Sequence, residues 1–121
     1  MQWQGLKSLH TLQFSKLPKL VSLPSGLQHV TTLQKLSILY CESFIAIPEW
    51  IDNCTSLVQL KFWECRSFTS LPVGMSGLTS LQQLDIYGCS PSLVNRCKKE
   101  TGVDWPKISR IPQLHVHQRD E

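Results

Sequence analysis

Leu57-Val58-Gln59-Leu60-Lys61-Phe62-Trp63-Glu64-Cys65 repeats the pattern of Leu33-Gln34-Lys35-Leu36-Ser37-Ile38-Leu39-Tyr40-Cys41 at a spacing of 24 residues. Apolar side chains stand at the first, fourth and sixth positions, and a cysteine closes each stretch. One period outward in either direction the register holds, with Leu9, Leu12 and Phe14 on one side and Leu81, Leu84 and Ile86 on the other. The closing position is filled by Leu17, Cys41, Cys65 and Cys89. Further along each unit come Leu20, Phe44 and Phe68, then the dipeptides Leu23-Pro24, Ile47-Pro48 and Leu71-Pro72. The second half keeps step through Leu27, Ile51 and Met75 and through Val30, Cys54 and Leu78, before Thr31-Thr32, Thr55-Ser56 and Thr79-Ser80 lead into the next unit.

Self-similarity at one fixed period means repeated units that bury their apolar faces only by stacking on one another. Within each unit the L-x-x-L-x-[FI] alternation predicts a short strand with one buried face. Strands from successive units then lie side by side in a narrow parallel sheet. The proline stretch returns the chain along the opposite wall in extended or short helical turns, where the missing proline N–H costs no ladder bond.

The pattern L-x-x-L-x-[FI] followed by cysteine and a later Leu-Pro or Ile-Pro resembles the leucine-rich repeat, over residues 9 to about 90. That resemblance implies an α/β solenoid with the parallel β-sheet on its concave face, a short helical or extended convex wall, and a C-terminal helical cap. In the family the asparagine or cysteine after the strand serves the turn, a role that falls here to Cys41, Cys65 and Cys89. Leu17 departs from the pattern, so the first coil is expected to turn less tightly than the others.

Four 24-residue repeats are placed at residues 9–89. Trp3 and Leu6 fall one period before Leu27 and Val30, so residues 1–8 read as the tail of a preceding repeat and the chain as the C-terminal end of a longer array. Such a start leaves an uncapped apolar face, a candidate surface for self-association. After Cys89 the period stops, and residues 90–121 are assigned to the cap. Ser90 and Pro91 supply a capping residue and a helix-starting proline, Leu93, Val94 and Cys97 share a face, and Gly102 marks a stop, which predicts a helix over 92–101. Asp104-Trp105-Pro106-Lys107-Ile108 and Ile111-Pro112-Gln113-Leu114-His115-Val116 predict a further extended segment, with a final edge strand from about Leu114.

This ending carries a second resemblance, over Arg96 to Pro112. The cysteine-containing helix followed by Gly102-Val103-Asp104-Trp105-Pro106-Lys107-Ile108 and then Ile111-Pro112 is similar to the C-terminal tail of plant intracellular immune receptors of the coiled-coil, nucleotide-binding, leucine-rich repeat type. The resemblance implies a sensor acting in defence and disease resistance. Its repeats would bind pathogen effectors, guarded host proteins or other domains of the same receptor, and restrain a nucleotide switch until they do. The implied place of action is the cytoplasm, with the nucleus and the membrane periphery as alternatives. The switch itself is not in this sequence, which has no G-x-x-x-x-G-K-[ST] loop.

Composition agrees with a binding module. The 121 residues, 41% of them apolar, suffice for one domain, and a net charge of +3 from 12 Lys and Arg against 9 Asp and Glu is too mild to imply a nucleic-acid partner. Arg96, Lys98, Lys99, Lys107, Arg110 and Arg119 read as a solvated basic rim rather than an anion or membrane site. No apolar run approaches the roughly 20 residues of a membrane span. Five cysteines without a C-x-x-C pair argue for a reducing compartment rather than a disulfide framework.

In strands whose Leu12- and Phe14-type residues face inward, the intervening residues face outward in columns. One column is Thr11, Lys35, Gln59 and Gln83, the next Gln13, Ser37, Lys61 and Asp85, and the third Ser15, Leu39, Trp63 and Tyr87, flanked by Lys16, Tyr40 and Glu64. The third column is the informative one, because large apolar and aromatic groups stand where the repeat does not need them and such groups anchor interfaces. The predicted partner-binding face is therefore Lys35, Leu39, Tyr40, Gln59, Lys61, Trp63, Glu64, Gln83, Asp85 and Tyr87. The plainer alternative is that Trp63 and Tyr40 fold over neighbouring coils or pack beneath a loop.

No cofactor, metal or catalytic residue is assigned. Cysteines one unit apart on a single wall cannot surround a metal tetrahedrally. His115 and His117 share one side of any strand, but two ligands near a chain end make a poor site. Asn53-Cys54-Thr55 is a glycosylation sequon, meaningful in a secreted protein only, and no nucleophile elbow marks an enzyme. Two rival binding proteins remain. An extracellular plant repeat, such as a receptor ectodomain or an enzyme inhibitor, shares the period, but usually has Asn after the strand and Gly two residues before the proline, where this chain has Cys and then Ser22, Ala46 and Ser70. The substrate-reading arm of a ubiquitin ligase also carries the cysteine, usually with a longer period.

Overall fold

The computed structural model describes residues 8–118, so the expected tail of a preceding repeat, with Trp3 and Leu6, lies outside the described residues, as does Arg119. Five strands, β1 (Thr11–Ser15), β2 (Lys35–Leu39), β3 (Gln59–Trp63), β4 (Gln83–Tyr87) and β5 (Gln113–His117), form one parallel sheet in chain order. With few and short helical turns, the arrangement is compatible with an α/β repeat fold. Residues one period apart are direct neighbours across the sheet: Leu12, Leu36, Leu60 and Leu84 pair in sequence, and so do Phe14, Ile38, Phe62 and Ile86. Alternation explains the placement, because Leu36, Ile38, Leu60, Phe62, Leu84 and Ile86 are buried while the residues between them are not.

Each of the first four strands ends in a left-handed residue: Lys16, Tyr40 and Glu64 have φ of 57°, 56° and 57°, and Gly88 has 69°. That residue's N–H donates to the last carbonyl of the next strand, as in Lys16 to Leu39 (2.9 Å), Tyr40 to Trp63 (2.8 Å) and Glu64 to Tyr87 (2.7 Å). The first turn is therefore as tight as the others, which corrects the expectation drawn from Leu17. What changes there is burial: Leu17 is 40% exposed, whereas Cys41 and Cys65 are fully covered. The cysteine thiols sit under the turn and donate to the preceding unit, Cys65 Sγ to the Ile38 carbonyl at 3.3 Å and Cys89 Sγ to that of Phe62 at 3.6 Å.

On the return wall, Pro24, Pro48 and Pro72 immediately precede 3-10 turns at Ser25–His29, Glu49–Asn53 and Val73–Gly77, which bury Leu27, Ile51 and Met75 respectively. Between sheet and wall lies a continuous core whose largest members, Phe44, Phe62 and Phe68, touch with ring centroids 4.8 to 5.9 Å apart. Such aromatic contacts add to the area that each ring buries.

The segment after Cys89 is less helical than expected. Helix α1 runs only from Pro91 to Arg96, capped by the Ser90 hydroxyl, which accepts from the Ser92 N–H at 3.1 Å. It stops early because the chain folds back across its end: the Asp104 N–H donates to the Arg96 carbonyl at 2.7 Å. Gly102 lies so close to that carbonyl that a Cβ would collide with it. Trp105–Ile108 is a helical turn, α2, and not the extended segment expected from its apolar residues. The chain then rejoins the sheet as β5, one residue ahead of the expected start, so the closing region is two short helices and a strand rather than a helical cap alone.

Asp104 organises this closure. Its side chain has no solvent exposure and takes four donors: Arg96 Nε at 2.8 Å and Nη2 at 3.2 Å, Lys107 Nζ at 2.8 Å, and the Leu71 N–H at 3.1 Å. Lys107 also donates to the Leu71 carbonyl at 2.8 Å, so the same cluster ties α2 to the strip of chain before Pro72. Arg110 adds donations to the Met75 and Leu78 carbonyls at 2.7 and 3.0 Å. Of the expected basic rim, Lys107 and Arg110 thus hold the closing segment onto the wall, and Arg96 braces Asp104 within it.

Candidate functional site

The strand register assembles the outward columns. Lys35, Gln59 and Gln83 lie abreast, as do Ser37, Lys61 and Asp85, and as do Leu39, Trp63 and Tyr87. Parallel pairing at one period per strand requires this, since a side chain facing outward in one strand faces outward in the next. Trp63 is 38% exposed and Tyr40 50% exposed, so neither is packed beneath a loop. Leu39 and Tyr87 are half-buried and Lys35 is exposed. The rings of Trp63 and Tyr87 approach to 5.2 Å at 45°, and the Lys61 ammonium rests 5.6 Å from the Trp63 ring centroid.

Glu64 does not stand out on this face as expected. Its side chain is only 13% exposed and its carboxylate lies against Gly88, 3.8 Å from Arg66 Nε. Gly88 leaves room for it, since a Cβ there would meet the carboxylate, and glycine also takes the positive φ freely. Tyr40, Glu42, Glu64 and Arg66 line a shallow open groove beside the strands.

The structure adds two residues that sequence reading did not place on the face. In β5, Gln113-Leu114-His115-Val116-His117 lies abreast of Gln83-Leu84-Asp85-Ile86-Tyr87, which sets His115 beside Asp85 and His117 beside Tyr87. Both histidines are exposed, and their rings stack 6.3 Å apart. A signal was present in the matching alternation of the two stretches, but the offset is 30 residues rather than 24 and hides it. Trp63, Gln83, Asp85, Tyr87, His115 and His117 together line a depression of about 320 Å³. Within it, Asp85 Oδ2 accepts from Gln83 Nε2 at 2.8 Å, while Oδ1 is covered and has no hydrogen-bond partner among the described residues.

No family model matches the chain, and a search of the curated proteins finds no match to it.

Cys41, Cys54 and Cys97 offer little reactivity. All five cysteines are buried with free thiols. Burial, with the charge of Asp52 second, pushes the Cys54 thiol up to about 11, and burial, with Asp104 second, pushes Cys97 up to about 12. Burial also raises Cys41. A thiol is a poor nucleophile and metal ligand until ionised, so these groups act as small apolar side chains with a weak donor. Among the described residues no group of three or more His, Cys, Asp or Glu is arranged to hold a metal ion. Nor, among them, is any helix long and apolar enough to cross a membrane.

Proposed function

We propose that the chain is a leucine-rich repeat module, an α/β solenoid whose concave sheet face binds a partner protein, and that it serves as the recognition part of a plant intracellular immune receptor. The observation that carries the binding reading is the contiguous outward row of Leu39, Trp63 and Tyr87. The inward positions are spent on the core, whereas these large groups remain accessible on the sheet, with Trp63 and Tyr87 in ring contact. Exposed aromatic groups clustered in this way are the usual anchors of binding hot spots. The immune assignment rests on the sequence resemblance of Arg96 to Pro112. It names pathogen effectors, guarded host proteins or other receptor domains as partners, reached in the cytoplasm, the nucleus or at the membrane periphery, with signalling restrained until the partner engages.

A screen of the chain against a library of proteins secreted by plant pathogens tests the reading. Interactors are expected to be lost when Trp63→Ala and Tyr87→Ala are combined. They should survive Val73→Ser on the opposite wall, where Val73 is 69% exposed. Interactors that depend on Val73 and ignore both aromatic residues would move the binding surface off the sheet.

A further inference from the structure

The depression beside Trp63 contains an acid in an unfinished state. Asp85 has one oxygen engaged by Gln83 and the other covered without a donor. A covered acceptor left unmade is costly, and the cost is removed by whatever brings a donor to it. Lys61 is the nearest cation by register, directly opposite Asp85 on β3, yet it makes no ion pair with it and rests over the Trp63 ring instead. The remaining walls are aromatic: Trp63, Tyr87 and the rings of His115 and His117.

Carboxylate and aromatic walls select the occupant. An anion would meet the Asp85 carboxylate in the lining, and an apolar side chain would bring it no donor. A guanidinium answers both features, because it is planar, stacks on rings, donates from its edge and is less strongly hydrated than an ammonium. The terminal torsion of an aspartate is soft, so a small rotation brings Oδ1 to an arriving donor. We propose that this depression seats an arginine side chain of the partner protein, donating to Asp85 Oδ1 and stacking on Trp63 and Tyr87. The proposal rests on the reading of the sheet as a protein-binding face and names the group that the face receives.

The test uses the full 121-residue chain, with backbone and indole N–H signals followed by NMR during titration with N-acetyl-arginine methylamide. Saturable shifts are expected at the Trp63 indole, Asp85, Tyr87 and His117, with a dissociation constant on the order of 10 mM for so small a probe. N-acetyl-citrulline methylamide, of the same shape but uncharged, should bind at least threefold more weakly, and N-acetyl-glutamate methylamide should not shift these signals. Asp85→Asn keeps an acceptor for Gln83 and should weaken the arginine probe at least fivefold without loss of signal dispersion. Lys61→Gln removes the resident cation and should strengthen it. Equal shifts from arginine and citrulline, undiminished binding by Asp85→Asn, weaker binding by Lys61→Gln, or no saturable shift at these residues would each overturn the proposal. A protein partner that loses binding with Trp63→Ala but not with Asp85→Asn would remove the arginine seat and leave the binding face standing.

Discussion

Two aspartates in this chain meet opposite fates. Asp104, in the closing segment, has every side-chain oxygen occupied by donors from Arg96, Lys107 and the Leu71 backbone. Asp85, on the sheet face, shares one oxygen with Gln83 and leaves the other without a donor. The difference separates acids that hold the fold from acids that the fold leaves available. A saturated buried carboxylate gains nothing from a ligand and loses much if it is removed, whereas a half-satisfied one gains from a ligand and is cheap to remove.

The largest expected effect is therefore Asp104→Ala. It strips the charge partner from two cations and leaves the covered Leu71 N–H without an acceptor, for which a loss of about 3 kcal/mol is expected. Urea unfolding should show a lower midpoint at an unchanged slope. A loss below about 1 kcal/mol would place Asp104 with ordinary surface acids and dissolve the contrast.

Acid should expose the role of Asp104 as well. Burial alone would push the Asp104 carboxyl up, but hydrogen bonds from Arg96, Lys107 and the Leu71 N–H, with the charge of Lys107, hold it below the usual carboxylate range. A depressed folded-state pKa means stability that is fully present above the unfolded value of about 3.9 and is lost as pH falls toward the folded value. Stability measured between pH 6 and pH 3 should fall in the parent chain, and the Asp104→Ala variant should fall less steeply. Parallel curves would show that other groups govern the acid response.

How much of this was legible follows from where the period runs. The positions of β1 to β4, their pairing partners, the inward residues and the three outward columns all come from a pattern repeated every 24 residues, which ties each residue to neighbours already known. The closing segment has no such pattern. Asp104 finds Leu71 across 33 residues and Lys107 finds the Leu71 carbonyl across 36, and no local propensity encodes either meeting. The fold-back of Asp104 onto the Arg96 carbonyl explains why α1 stops there, and the pairing of the chain end with β4 explains why His115 and His117 arrive on the face unannounced. Glu64 departs from the sequence expectation for a different reason. Its column faces outward, but the side chain bends onto Gly88, a choice that backbone register does not dictate.

Of intermediate size is the expected effect of Trp63→Ala. Trp63 retains 38% exposure and stands outside the Phe44, Phe62 and Phe68 contacts, so its removal should cost at most about 1 kcal/mol in the same urea measurement. Binding of any partner recovered through the sheet should fall tenfold or more. A stability loss matching that of a core aromatic, about 3 to 5 kcal/mol, would move Trp63 from the face into the fold.

The smallest expected effect has the most to say about the comparison, since Asp85→Ala should not destabilise the chain at all. The substitution removes a covered oxygen that has no donor, and the Gln83 amide it releases is only half-buried and turns to water. The two contributions oppose one another, and relief of the unsatisfied acceptor is the larger, which predicts a gain of about 0 to 1 kcal/mol at pH 7. Thermal and urea unfolding of the parent and the variant at the same pH decide the sign. A clear loss would mean that Asp85 is satisfied within the fold as Asp104 is, and that its unmatched oxygen is no opening for a ligand.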